Sequence, residues 1–169
     1  NYIFVSIYIL LCKRCIKVEN NKAKLIGQIE RFLADNKLVE EQRQTLRAFD
    51  RFNELEAQCR LSTRHSYLRT LHGLGVCVQK PYEKMKKEEL QMFVAIQKKY
   101  HRPSVVMLQQ AHLKRFFRWL EWTKVNKDLK DEDKLNISDV RAPYVVRWMR
   151  VSLNLLKCPM KTFPQKLKS

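Results

Sequence analysis

Basic side chains recur at helical spacing in two stretches of this chain, an arrangement suited to binding phosphate groups. Residues 62–78 contain Arg64, His65 and Arg69, and residues 104–122 contain Gln110, Lys114, Arg115 and Arg118. A guanidinium or ammonium group neutralises a phosphate, and Arg or Gln can also reach a base edge. The spacing therefore predicts a nucleic-acid surface, with an ordinary solvated basic face as the alternative interpretation.

The net charge of the chain is +17, and the excess is concentrated in one region. Residues 60–130 contain 16 Lys and Arg against 5 Asp and Glu, whereas residues 19–59 contain 7 against 8. A localised basic region favours a polyanion as the partner, because each neutralised phosphate releases a condensed counterion. Lys87 and Lys98, on a predicted helix between the two basic stretches, extend this surface.

Other residue types that could do chemistry are scattered along the chain. We interpret the cysteines as free thiols in a reducing, cytoplasmic compartment, because their number is odd and their density is low. They are Cys12, Cys15, Cys59, Cys77 and Cys158. Cys12 and Cys15 have the spacing of half a zinc site, but no second pair of Cys or His follows at a suitable interval. We therefore predict no metal, no cofactor and no small-molecule substrate.

The elements that must position the basic residues are predicted to be helices. Only 3 Gly and 5 Pro occur among 169 residues, and 45% of residues are hydrophobic, which favours an all-α fold. Apolar residues recur every three or four positions in five segments, near residues 20–36, 39–55, 62–78, 86–100 and 104–122. We predict a compact bundle of four to six helices. Ser104 is the expected N-cap of the fifth helix, and Ile96, Trp119 and Trp122 are expected to pack inside the bundle.

Composition divides the chain into a helical centre and flanking segments. Residues 1–19 form an apolar extension that is too short to span a membrane. We consider three interpretations of it: a packed N-terminal element, a weak membrane anchor, or residues from an incomplete or misassigned reading frame. N-terminal helices over 20–58 and a basic helical core over 59–125 follow. A charged loop, over 124–139, and a short helix after Pro143 occupy most of 126–153, and 154–169 has the composition of a linker. A membrane partner is not expected.

The order of several motifs resembles the core-binding domain of tyrosine recombinases, the phage-integrase family. Thr63 precedes Tyr67, Leu71 and Leu74; Glu88-Glu89-Leu90 precedes Phe93; and Ser104 leads to LKRFFRWL at residues 113–120. PYVVRW at 143–148 is similar to a segment of archaeal members, and FPQKL at 163–167 to the linker before their catalytic domain. The resemblance covers about residues 40–169. It implies a SAM-like helical domain that clamps duplex DNA.

Some positions depart from the family pattern. Family members often have Thr at two positions where this chain differs: the first is occupied by Met85 or Lys86, and the second by Val105. A Gly that is common in the family is replaced by Arg60. The family's chemistry requires an Arg, a Lys, a His-x-x-Arg pair and a nucleophilic Tyr in a C-terminal catalytic domain, and this chain ends where that domain is expected to begin. The resemblance therefore predicts a non-catalytic part of a recombinase, either a domain fragment or a truncated gene product.

The resemblance implies two partners: double-stranded DNA and, in a full-length enzyme, other recombinase protomers on the same DNA. Nine side chains are predicted to face DNA: Arg64, His65, Arg69, Lys87, Lys98, Gln110, Lys114, Arg115 and Arg118. Lysines are expected mainly to hold phosphates, whereas Arg and Gln can read bases. Two further hypotheses are a stand-alone helical DNA- or RNA-binding regulator of a mobile element, and a helical protein-interaction module.

Overall fold

The computed structural model describes residues 19–127, 129 and 133–149, and it confirms the predicted all-α fold. The described residues contain six α-helices, a 3-10 turn before Met85 and no strand. The helices are α1 (19–34), α2 (Glu40–Leu55), α3 (Leu61–Val78), α4 (Lys87–Tyr100), α5 (Pro103–Asn126) and α6 (Tyr144–Arg147), with the 3-10 turn at Tyr82–Lys84. The predicted linker over 154–169 and nearly all of the apolar extension over 1–19 lie outside the described residues.

Local sequence explains where several helices begin and end. α5 begins at Pro103 with Arg102 as its N-cap, two positions earlier than the Ser104 cap that we predicted. The reason is that proline is well suited to the first position of a helix, where its missing N–H is not needed. α3 ends at Val78 because Gln79 adopts a left-handed conformation, with φ 52°, and Pro81 follows.

The hydrophobic core joins side chains from α1 to the segment after α6. Its centre is aromatic: Phe116 meets Phe49 edge-on at a ring separation of 5.1 Å, and it meets Tyr82 edge-on at 4.9 Å. Trp119 is buried beside Phe49, which confirms its predicted packing role. The expectation for Ile96 was wrong, since its side chain is 39% exposed on α4. One core thus spans most of the described chain.

A buried glutamine joins the start of α2 to the end of α3. The side-chain nitrogen of Gln42 donates to the carbonyl oxygens of Gly75, at 3.2 Å, and Lys80, at 2.6 Å. Nearby, the Tyr82 hydroxyl donates to the Leu71 carbonyl at 2.9 Å. Because these polar groups satisfy one another inside the core, they fix the turn after α3 against α2.

The segment after α5 is held by the end of that helix. The indole N–H of Trp122 donates to the Leu135 carbonyl at 2.6 Å, and the Asn126 side chain both donates to and accepts from the Leu135 backbone at 3.0 Å. α5 extends to Asn126, so it includes the first three residues of the loop that we predicted from Lys124. Residues 135–138 consequently lie against the α5 helix and are exposed except for half-buried Ile137.

Candidate nucleic-acid interface

A groove runs between the first half of α3 and the middle of α5, with residues 135–138 along one side. Its volume is about 1070 Å³. The lining residues from α3 are Ser62, Thr63, Ser66 and Tyr67, and those from α5 are Leu108, Ala111, His112, Lys114, Arg115, Arg118 and Trp122. We call this feature the α3–α5 groove. It contains three of the nine side chains predicted to face DNA.

The α5 contribution to the groove follows from helical spacing. Leu108, Ala111, Arg115, Arg118 and Trp122 are separated by three or four residues, so they form one stripe along the helix. The opposite face of α5 carries core residues such as Leu113 and Phe116. The same helix therefore packs against the core with one face and presents cations with the other.

Arg115 is held in position at the base of the groove. Its guanidinium carbon lies 5.3 Å from the centre of the Tyr67 ring, a cation–π contact that joins α5 to α3. One terminal nitrogen donates over a long 3.4 Å contact to the Asn53 side-chain oxygen, and over 3.6 Å to the Cys59 sulfur. Its Nε is buried without a hydrogen-bond partner. Arg115 is thus a positioned cation with unused donor capacity.

Lys114 and Arg118 supply the more accessible charge. Arg118 is exposed and Lys114 is half-buried, and neither forms an ion pair or hydrogen bond with any described residue. Among the lining residues the only carboxylate is Glu56, at the end of α2. Three cations against one carboxylate make the groove electropositive, and no internal partner competes for Lys114 or Arg118.

His112 contributes no charge to the groove near neutral pH. Burial lowers the pKa of its imidazole to about 4. Its Nδ1 lies 3.0 Å from the Thr70 hydroxyl, and its ring meets Tyr67 edge-on at 4.8 Å. Burial raises the pKa of the Tyr67 phenol, with the charge of Arg115 acting in the opposite direction. His112 and Tyr67 are therefore neutral groups that set the shape of the groove.

The α3 wall offers hydroxyl groups and one additional cation. Ser62, Thr63 and Ser66 line the groove, and hydroxyls of this kind are frequent donors to nucleic-acid phosphates. Arg69 follows Ser66 by three residues, close to one helical turn, so it lies on the same edge of α3. It is exposed and forms no ion pair with a described residue. We therefore keep Arg69 in the candidate interface.

Arg64 occupies a different environment from the one that we predicted. Its guanidinium donates two hydrogen bonds to the Asp50 carboxylate, at 2.9 and 2.7 Å, and a third to Glu54 at 2.5 Å. Asp50, mainly by these hydrogen bonds, raises the pKa of Arg64 above its ordinary value. With both side chains largely buried, Arg64 joins α3 to α2 and is not a free donor. We remove it from the candidate interface.

His65 and Lys87 also have internal contacts. The half-buried His65 ring lies 5.6 Å from the Phe32 ring of α1, and burial, followed by the charge of Arg69, lowers its pKa. Lys87 lies 5.4 Å from the centre of the Tyr144 ring, which connects α4 to α6. The structure places neither residue among those that line the α3–α5 groove.

Lys98 and Gln110 come together elsewhere on the surface. Both line a second pocket, of about 620 Å³, between the end of α4, the start of α5 and the residue after α6. The nine predicted residues therefore divide: Lys114, Arg115 and Arg118 share the groove, and Lys98 and Gln110 share another site. Arg69 does not line the groove but lies about one helical turn along α3 from Ser66, which does. Arg64, His65 and Lys87 are engaged with their neighbours.

Sequence reasoning missed several of the groove residues. Ser66 was not singled out, and Thr63 was named only for its place in the motif order, although their spacing from Ser62 places them along one side of a helix. That spacing was the available signal. The wall formed by residues 135–138 had no such signal, because it depends on hydrogen bonds from Trp122 and Asn126 across nine to thirteen residues.

Other kinds of site are not found in the described chain. Within residues 19–127, 129 and 133–149, no group of His, Cys, Asp and Glu is arranged to hold a metal ion. Cys59 and Cys77 are free thiols, while Cys12, Cys15 and Cys158 lie outside those ranges. None of the described helices has an apolar stretch long enough to cross a membrane.

The fold and the groove define this chain as an all-α protein with an electropositive surface groove. No protein-family model, curated protein or solved structure matches it. The resemblance to tyrosine recombinases therefore rests on the motifs of the sequence alone, and a function has to be argued from the groove.

Proposed function

We propose that this chain binds double-stranded DNA in the α3–α5 groove, as the core-binding part of an integrase-like tyrosine recombinase. The observation that carries the DNA-binding proposal is the convergence of Lys114, Arg115 and Arg118 in one groove, without an ion-pair partner among the described residues. Cations without an ion-pair partner gain most from neutralising phosphates, because they have no internal ion pair to lose.

In our proposal, the side chains of the groove make different kinds of contact with DNA. Lys114 and Arg118 contact phosphates, with the hydroxyls of Ser62 and Thr63 donating from the opposite wall. Arg115 has less freedom, since Tyr67 and Asn53 hold its guanidinium. A rigid guanidinium is better suited to reading a base or one fixed phosphate than to a diffuse electrostatic contact.

The recombinase role is proposed from the motif order. Members of that family cut and rejoin DNA with residues of a separate catalytic domain, while the core-binding domain holds the duplex. On that analogy this chain clamps DNA during integration or recombination and leaves strand cleavage to another domain. Its partners are then duplex DNA and other recombinase protomers bound at the same site.

Duplex binding is tested by fluorescence anisotropy with a labelled DNA duplex over a range of salt concentrations. The K114A/R118A double variant should bind about tenfold more weakly for each lost contact. Its plot of log affinity against log salt should become shallower by about 0.9 for each lost phosphate contact. The matched control is Lys84→Ala, which removes one charge from an exposed Lys in the 3-10 turn, away from the groove.

The same titrations separate the competing functions. Equal weakening by Lys84→Ala would contradict a specific groove and leave only a diffuse basic surface. Tighter binding of duplex RNA than of duplex DNA would favour the RNA-binding regulator. Absence of binding to either nucleic acid would favour the protein-interaction module.

A further inference from the structure

A second pocket lies between the end of α4, the first half of α5 and the residue after α6. We call it the α5–α6 pocket. Its lining residues are Lys98, His101, Pro103, Val106, Met107, Gln110 and Trp148. Val106 and Gln110 are buried, whereas Lys98, His101 and Pro103 are exposed, so the floor is apolar with one amide and the rim is basic. Its volume of about 620 Å³ is in the range of small-molecule sites.

The amide of Gln110 lines the α5–α6 pocket and has no partner within the fold. Its side chain is only 9% exposed, yet it makes no hydrogen bond with any described residue. Gln42, the other buried glutamine, donates to two carbonyls and accepts from the Val39 amide. Because the rest of the fold leaves this largely buried amide without a hydrogen bond, its partners are water or a ligand in the pocket that it lines.

The aromatic wall of the pocket offers ring surface and no free polar edge. Trp148 donates its indole N–H to the Val145 carbonyl at 2.7 Å, within its own segment. The ring therefore has only its faces and carbon edge available to a ligand. Together with Met107 and Val106, it forms an apolar environment that suits a flat ring.

The rim of the pocket favours an anion. Lys98 and His101 are three residues apart at the end of α4, and neither forms an ion pair with a described residue. A ligand that satisfies the whole pocket therefore combines a flat ring, hydrogen-bonding edge atoms and a negative group. A nucleoside monophosphate has these three features.

We propose that the α5–α6 pocket binds one unpaired nucleotide. The base lies against Trp148, the Gln110 amide bonds to a base edge, and the phosphate meets Lys98 and His101. An amide side chain both donates and accepts, as the edges of the bases do, and stacking on an aromatic ring adds about 1–3 kcal/mol. This inference does not depend on duplex binding in the α3–α5 groove.

The test uses deoxyadenosine 5′-monophosphate as the probe, with calorimetry for affinity and NMR of the Trp148 indole N–H for location. We expect saturable binding that perturbs the Trp148 signal. Gln110→Leu should weaken binding at least tenfold without lowering the melting temperature, because the amide makes no hydrogen bond within the fold that the variant would break. Lys98→Ala should also weaken binding, whereas its exposed neighbour Lys99, which does not line the pocket, gives the matched control Lys99→Ala.

Further titrations define the ligand and keep the two proposals separate. Equal affinity for inorganic phosphate would overturn the proposal, as would binding that Gln110→Leu leaves unchanged or an absence of binding. A duplex with one bulged nucleotide is compared with a perfect duplex. If the bulged duplex binds more tightly and Gln110→Leu removes the difference, the ligand of the pocket is a nucleotide within a DNA strand. Binding of the monophosphate without that preference assigns the pocket to a free nucleotide. Arg118→Ala should weaken duplex binding and leave nucleotide binding unchanged.

Discussion

At the scale of single residues, the carboxylates within reach decide what an arginine does in this fold. Arg64 lies between Asp50 and Glu54, and its side chain is only 12% exposed. Arg118 is exposed on α5 and has no carboxylate partner among the described residues. The first arginine therefore stabilises the packing of α2 on α3, and the second is available to an external anion.

Removal of the Arg64 side chain tests this distinction. Arg64→Ala leaves the Asp50 carboxylate buried without a counter-ion, so we expect the free energy of unfolding to fall by about 3 kcal/mol in urea titrations. Arg69→Ala, which removes an exposed arginine from the following turns of α3, should change it by less than about 0.5 kcal/mol. Similar losses in the two variants would show that the Arg64 pair does not hold α2 to α3.

At the scale of elements, α3 is constrained on several sides. Its first half lines the groove, while Leu71 and Leu74 enter the core and Gly75 touches the α1–α2 connection and the 3-10 turn. A Cβ at Gly75 would lie 2.6 Å from Leu38 Cδ2 and 2.7 Å from the Tyr82 hydroxyl oxygen. A Cβ at Gly73 would meet nothing closer than 3.8 Å, from the Phe93 ring. Close packing therefore requires a glycine at position 75, whereas position 73 has room for a methyl group.

Alanine substitution at each glycine should have opposite effects on stability. Gly75→Ala forces the core to move, and we expect a loss of about 1–3 kcal/mol in the free energy of unfolding. Gly73→Ala makes only an ordinary van der Waals contact with the Phe93 ring and should gain about 0.5–1 kcal/mol from helix propensity. Chemical denaturation of both variants measures the difference, and a stabilising Gly75→Ala would contradict the close approach described here.

The helices themselves were largely predictable, because their signals are local. Apolar periodicity predicted the ends of α2 to α5 to within a few residues of where the structure has them, and Pro81 indicated that α3 ends just before it. The composition of the candidate site was less predictable. Whether Arg64 faces solvent depends on Asp50, fourteen residues away in sequence, and the burial of Gln110 depends on how α4 and α6 pack around α5. Helical spacing predicts which face of its helix a residue lies on, but it does not predict which residues of other helices pack over that face.

At the scale of the whole molecule, the segment that supplies carboxylates for internal ion pairs differs from the segment that carries the excess positive charge. Residues 19–59 supply carboxylates that pair with internal cations, as Asp50 does with Arg64, and Asp35 pairs with His72. Residues 60–130 carry the excess charge, and their groove side chains find no such partners. The ligand of that region is a separate claim that requires its own measurement.

The most direct test of the central claim is NMR mapping of the chain with and without a short DNA duplex. We predict that amide and side-chain shifts change in the first half of α3 and in residues 108–118 of α5. Residues of α1 and of the 3-10 turn at Tyr82–Lys84 should change little, since they do not line the groove. Shift changes spread evenly over exposed lysines, or confined to surfaces outside the groove, would contradict the account.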